Sequence, residues 1–446
     1  MKHKICATLL LTASLSACDE APKPKALRTF DDSSTQAGDG AVDLQPERTG
    51  PQYAVLSGDW SATSVSLLGV DGTVLADDYI NSGSVQAGLV TALSGDVELP
   101  THSGEQGVLV LIDRYKTDVI TRIRLSDAKI LGQVKTHTPP TQATDNAYSS
   151  NPQDYVRIDD HTAWVSRNQP NLDPDAPEID LGNDLLRINP TAMERTNERI
   201  DLSVLNGKGV RRNFETGKDE EVDVYARPSR MARVGSTLIV GLGRTAFDFS
   251  ATGSGMVAVV GLETREVEGL EFPGLKGCTK VTPVPAAEDR VLVGCSGAYA
   301  EERESAGGAV VRVEDGVASI ERSWRAQDHA NDPALSGSFV ALSETLFAGA
   351  ANDFSGEGAS VFGTLDLATG EFSELLTIPK GRGTFGVPHF DADQGLLLVP
   401  DSSVDDDKRP TSGVHVLQQK DHGFEETSVI KVAEDTTMPV RHVFGL

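Results

Sequence analysis

The chain has 446 residues, with 66 acidic against 40 basic side chains and a formal net charge of −26. A surface of that sign repels nucleic acid and anionic lipid, so neither is a partner through charge. No G-x-S-x-G, H-E-x-x-H, P-loop or C-x-x-C-H motif occurs, and Gly241-Leu242-Gly243 opens no helical pattern, so hydrolase-elbow, nucleotide and haem sites are not indicated and no cofactor is expected.

The N-terminal stretch MKHKICATLLLTAS places Lys2 and Lys4 before an apolar run too short to span about 30 Å of hydrocarbon. That is the layout of a secretory signal. The following Leu15-Ser16-Ala17-Cys18 resembles the bacterial lipobox. The resemblance implies removal of residues 1–17, acylation of Cys18 by palmitate-type chains, and a protein of the cell envelope lipid-anchored to the inner or outer membrane. Its folded part would then lie in the periplasm or at the cell surface. Of the four cysteines, Cys6 leaves with the signal and Cys18 carries lipid. Cys278 and Cys295 remain, and an oxidising compartment favours a disulfide between them. In CTKVTPVPAAEDRVLVGC a hairpin turning between Ala286 and Ala287 would set the two directly opposite each other.

Residues 18–50 are rich in Pro, Gly, Ser and acid, with too few apolar side chains to offset chain ordering, and read as a disordered tether. From residue 51 to 446 one grammar recurs: an apolar run, a turn, a second apolar run ending in a polar loop, then two strands joined by a turn. RPSRMARV, STLIVGLGR, TAFDFSATGSG and MVAVVGLETREVEGLEF form one such unit. Runs of four to six β-formers split by Gly, Asp and Asn, four to a unit, predict an all-β chain of propeller blades. First strands starting near Gly88, Asn151, Arg227, Gly277, Leu335, Gly386 and Met438 make seven blades. MPVRHVFGL has no strands after it, while QYAVLSGD, SVSLLGVDG and TVLADDYI read as second, third and fourth strands without a first. One C-terminal and three N-terminal strands would therefore close the ring and remove its free edges.

TAWVSRN (162–168) is similar to the YVTN-type strand of periplasmic and surface-layer propellers, and LDLATGEFSELLTI (365–378) resembles their following hairpin. RINPTAMERTNERIDL (187–202) is a looser copy; SVSLLGVDGTVLADDYI and NPQDYV resemble propeller lipoproteins of myxobacteria-like organisms. The resemblance implies the fold; that family holds lactonase-like enzymes and binding modules alike.

Chain alternation within a blade puts the start of the first strand and the loop between second and third strands on one face. The long loops QPNLDPDAPEIDLGND, TAFDFSATGSG, AYAEERESAGG, NDFSGEGAS and SSVDDDKRPTSG thus share a rim, where binding residues tend to sit. Inside it, aligning NPQD, RPSR, GCTK, GVPH and MPVR brings Asp154, Arg230, Lys280, His389 and Arg441 around the channel mouth. Such a mouth could hold a small anion, or its cations could clamp neighbouring blades. Two acidic loops, one with Asp173, Asp175, Glu178 and Asp180 and one with Asp401, Asp405, Asp406 and Asp407, could take Ca²⁺ without matching an EF-hand. His329, beside Asp328 and Asp332, is a further candidate metal ligand on the same face. The reading is a monomeric, non-enzymatic binding or scaffolding module for an envelope protein, a peptide or a small anion; the alternative is a lactonase-like or other metal-assisted hydrolase at the mouth.

Overall fold

A computed structural model of the chain describes residues 50–139, 148–212, 216–285, 287–298, 303–326, 338–352, 357–407, 411, 413–433 and 438–446. Cys18, the signal stretch and His329 lie outside the described residues. Seven four-stranded antiparallel sheets stand in sequence around a ring. Blade 2 comprises Val97–Glu98, Val108–Asp113, Val119–Arg124 and Lys129–Lys135, and blade 3 Pro152–Asp159, Thr162–Pro170, Gly182–Asn189 and Glu194–Asp201. Blade 4 runs through Pro228–Val234, Thr237–Leu242, Gly255–Gly261 and Val267–Phe272, and blade 5 through Lys280–Val284, Ala287–Ser296, Ala306–Glu314 and Val317–Arg325. Blade 6 (Phe339–Ala341, Leu346–Ala351, Ser360–Asp366, Glu371–Ile378) and blade 7 (His389–Asp391, Leu396–Pro400, Val414–Lys420, Gly423–Ile430) follow.

Blade 1 takes its outer three strands, Tyr53–Gly58, Thr63–Leu68 and Val74–Asn81, from the start of the folded part and its inner strand, Val440–Gly445, from the end. The closure has the composition expected from the sequence. Tyr53 pairs with Gly445 and Val55 with Val443, so the last strand fills the edge that the first would otherwise expose.

The core is distributed. Each pair of neighbouring blades encloses its own apolar cluster, and because strand side chains alternate, one strand feeds two of them. Leu109 and Leu111 pack towards blade 1 with Leu56 and Leu67, whereas Val110 and Ile112 pack towards blade 3 with Tyr155 and Val165. Blades 7 and 1 meet in the same manner, through Leu398 and Val416 against Val55 and Val443. Strands buried on both faces read as unbroken apolar runs, which is why TLIVGL is buried throughout. Where inner strands touch, side chains give way: a Cβ on Gly386 would lie 2.1 Å from the carbonyl oxygen of Arg441, and the main chain of Val387 bonds across to Arg441 at 2.8 Å.

Two features depart from the sequence reading. A separate hairpin, Gly207–Arg212 with Asp219–Val224, is inserted between blades 3 and 4. The inner strand of blade 2 begins at Val97, not near Gly88, and is two residues long.

Cys278 and Cys295 are disulfide-bonded, with Cα atoms 3.9 Å apart. They are not the directly opposed pair that a plain hairpin would give. A register shift between Pro283 and Val284 sets Lys280 against Gly294, and Cys278 precedes the strand, bridging instead to Leu242 of blade 4. The bond lies in the cluster between blades 4 and 5. For a separation of 17 residues, reduction is expected to cost about 3 kcal/mol on the chain-entropy model. Urea midpoints with and without reductant measure it, and equal midpoints would refute a stabilising bridge.

Candidate functional site at the channel mouth

The inner strands converge on Glu98, the second residue of the short blade 2 strand. Its carboxylate receives Arg441 Nη2 at 3.1 Å and Arg230 Nη2 at 3.0 Å, with Arg114 Nη2 at 3.6 Å and His442 Nδ1 at 3.4 Å. Burial alone would raise the Glu98 pKa, but Arg114, His442 and Arg230 together hold it well below the usual carboxylate range. Arg114 is held in turn by Asp96, which Nη2 reaches at 2.5 Å.

Of the five aligned positions, three are committed between blades. Arg230 of blade 4 donates to the carbonyls of Leu99 in blade 2 (2.8 Å) and Gln153 in blade 3 (3.1 Å). Asp154, fully buried, accepts the N–H of Thr101 from blade 2 at 3.0 Å and that of Met231 from blade 4 at 2.7 Å. Arg441 lies over the ring of Trp60, 3.8 Å from its centroid. Trp60 sits between the second and third strands of blade 1, so the mouth and those loops share a face, as alternation requires.

The other two positions, Lys280 and His389, line a small axial cavity of about 70 Å³ together with Arg230, Thr101, Thr282 and His442. His389 packs against Tyr53, ring centroids 5.7 Å apart, and burial pushes it down to about 4, so it is neutral; His442 is likewise pushed down to about 4. Lys280 makes no hydrogen bond or ion pair among the described residues. Burial, reinforced by Arg230, pushes its ammonium down to about 8. The mouth therefore holds four cations (Arg114, Arg230, Lys280, Arg441) against three carboxylates (Asp96, Glu98, Asp154), and the uncompensated charge is that of Lys280.

Aligning the strand starts found three of the four cations but missed Arg114, Glu98 and His442. Glu98 stands one residue into its strand as Arg441 does in its own; a strand start assigned to Gly88 put it out of frame. The predicted metal ligands do not gather. Asp173 and Asp175 are exposed on the rim, while Asp180 is buried and bound to Arg195 at 2.6 Å. Among the described residues no three His, Cys, Asp or Glu are arranged to hold a metal. Asp401 accepts His415 Nε2 at 3.1 Å and Asp406 pairs with Arg382 at 2.8 Å.

Seven blades, a mixed-terminus closure and a charged axial mouth define a seven-bladed β-propeller. No family model matches the chain, and no curated protein matches it. Among solved structures it is similar to a Bacteroides fragilis protein provisionally named a 6-phosphogluconolactonase (TM-score 0.52, 10% identity, 91% of this chain and 100% of that one). It is also similar to the periplasmic gluconolactonase PpgL of Pseudomonas aeruginosa (0.50, 11%, 89% and 99%) and to a hypothetical selenium-binding protein from Sulfolobus tokodaii (0.51, 10%, 89% and 93%). At these identities the likeness is one of fold.

Proposed function

We propose that this protein is a lipid-anchored envelope propeller that binds a small anion, a carboxylate or phosphate, at its axial mouth. The observation that carries the reading is Lys280: a half-buried ammonium, without a counter-ion among the described residues, lining a cavity with room for a group of that size. Leaving a buried charge unpaired is costly, and an anion supplied from solution removes the cost. Arg230 borders the same cavity, but its guanidinium nitrogens are already bonded to Leu99, Gln153 and Glu98, so neither it nor Arg441 is the ligand's principal contact in this reading. They hold the ring on Glu98 and leave Lys280 as the free donor, with the hydroxyls of Thr101 and Thr282 able to bond the anion's remaining oxygens.

The test is calorimetric titration of the purified protein with inorganic phosphate and with acetate, run alongside δ-gluconolactone turnover. Saturable anion binding without turnover supports the proposal; lactone hydrolysis would replace it with the hydrolase reading, and no anion binding would end it. Anchoring is tested separately. Cys18→Ala is expected to move the protein from the membrane fraction to the soluble one, and a variant that stayed with the membrane would remove the lipid anchor.

A further inference from the structure

A second, larger cavity of about 740 Å³ opens on the rim between blades 2, 3 and 4, within the size range of small-molecule sites. Part of its wall is apolar, with Tyr115, Leu172 and Phe247 all more than 40% exposed. The flanking loops are fixed rather than merely adjacent. Arg227, 1% exposed, donates to Gln169 Oε1 at 3.0 Å on the blade 3 loop and to the carbonyl of Phe247 at 2.9 Å on the blade 4 loop.

The polar part of the lining mixes the hydroxyls and amides of Thr138, Tyr148, Ser149, Gln169 and Asn171 with one imidazole and three carboxylates, and the acceptors with spare capacity are in the second group. His137 lines the cavity at 6% exposure and makes no hydrogen bond among the described residues. Its Nδ1 lies 3.5 Å from Asp118 Oδ2. Asp118 is itself fixed by the hydroxyls of Ser149 and Ser150 (3.0 and 3.1 Å) and by the N–H of Asn151 (2.7 Å) on its other oxygen. A neutral imidazole keeps its proton on the nitrogen that faces a carboxylate, so Nε2 offers a lone pair to whatever enters. Asp180, 4% exposed, binds Arg195 through Oδ1 and has no hydrogen-bond partner for Oδ2. At the lip, Asp173 and Asp175 have no cation within ion-pair distance among the described residues, and Asp173 Oδ1 accepts only the N–H of Asp175.

The cations nearby are already partnered, and Arg195 is partnered on the wall itself, where it also donates to Thr138 Oγ1 at 2.6 Å. Arg195 is on Asp180, Arg167 is on Asp184 at 2.6 Å, and Lys135 donates to the carbonyl of Thr117 at 2.6 Å. Lys116 stands over the Tyr115 ring, 5.4 Å from its centroid, which shows that ring accepting a cation on its face. No Lys or Arg belongs to the lining.

We propose that this rim pocket binds a primary ammonium or guanidinium group carried on an apolar stem. The N–H donors would meet His137 Nε2 and the carboxylates of Asp173 and Asp175, and the stem would lie against Tyr115 and Phe247. A free amine and a lysine or arginine side chain share this chemistry.

The experiment is NMR or calorimetric titration of the purified protein with n-butylamine and butylguanidine, with n-butanol as the neutral counterpart. N-acetyl-lysine amide and N-acetyl-arginine amide represent the polypeptide source. The charged probes are expected to bind at least about tenfold more tightly than butanol, a factor set by the cation–π and charge terms. The exposed double variant Asp173→Asn/Asp175→Asn should lose about fivefold or more in affinity while keeping the wild-type melting profile. Blocked amino acids binding more tightly than the simple amines would identify a polypeptide ligand, and equal affinities a free amine; both uphold the site. Butanol binding as well as butylamine, no saturable binding of any cation, or an unchanged affinity in the double variant would overturn it. Lys280→Met should leave this binding untouched, which keeps the result independent of the axial mouth.

Discussion

Glu98→Gln is expected to destabilise the propeller by about 3–5 kcal/mol, the range for removing one partner from a buried ionic cluster. The glutamine fills the same space, so the loss is electrostatic: Arg230 and Arg441 would face a neutral amide, and the main-chain bonds of Arg230 to Leu99 and Gln153 would have to hold a guanidinium without its counter-ion. Urea denaturation measures it. The pH profile gives an independent reading. Because the folded pKa of Glu98 is depressed, its contribution is fully present above the unfolded carboxylate value and is lost as pH falls through the folded one. Wild type should therefore lose more stability below about pH 4 than the variant, by the linkage relation for a depressed carboxyl. A midpoint within error of wild type would show that the mouth does not depend on its central carboxylate.

Lys280→Met is expected to have the opposite character: anion binding abolished and stability unchanged or raised. The methionine keeps the apolar stem and removes a charge that no described residue compensates. The lowered pKa, about 8 in the folded chain, fixes the sign of the pH dependence. Below about pH 8 the ammonium is charged in both states and the burial penalty is complete; between 8 and the unfolded value near 10.4 the folded state loses its proton first and the penalty lifts. Wild-type stability should rise across that window by up to about 3 kcal/mol, following the free energy per pKa unit, and the variant's should not. Bound anion should raise the Lys280 pKa, so phosphate affinity should fall as pH passes 8. Phosphate binding by the methionine variant with wild-type affinity would remove Lys280 from the site.

The blades were legible because both faces of their second strands are buried, which leaves continuous apolar runs such as VLVLID and TLIVGL between Gly- and Asp-containing turns. The closure was legible from complementarity: three strands lacking a first and one first strand lacking the rest. Glu98 was not, because a two-residue strand carries too short a pattern to fix its own frame, and the start expected at Gly88 fell nine residues before the observed one at Val97. The disulfide was expected from cysteine count and the predicted signal, yet its register was not, since the shift at Pro283 is a local backbone adjustment that no residue pattern announces. The roles of Arg230 and Arg441 turned on the position of one unseen carboxylate. Sequence showed that cations gather; only their distances to Glu98 separate those that fasten the ring from Lys280, which does not.

The strand Val440–Gly445 has a meaning beyond sealing an edge. It delivers Arg441 to Glu98 and brings His442 beside it, while blades 2 and 4 supply the remaining partners. A chain synthesised N-terminus first would carry Glu98 long before it had Arg441, and during that interval the mouth would be an open, incompletely neutralised cleft. Its charges come to rest only when the final strand docks. Neutralisation of Glu98 is thereby tied to the docking of this strand, and a chain lacking it would lose Arg441 and His442 along with the closed ring.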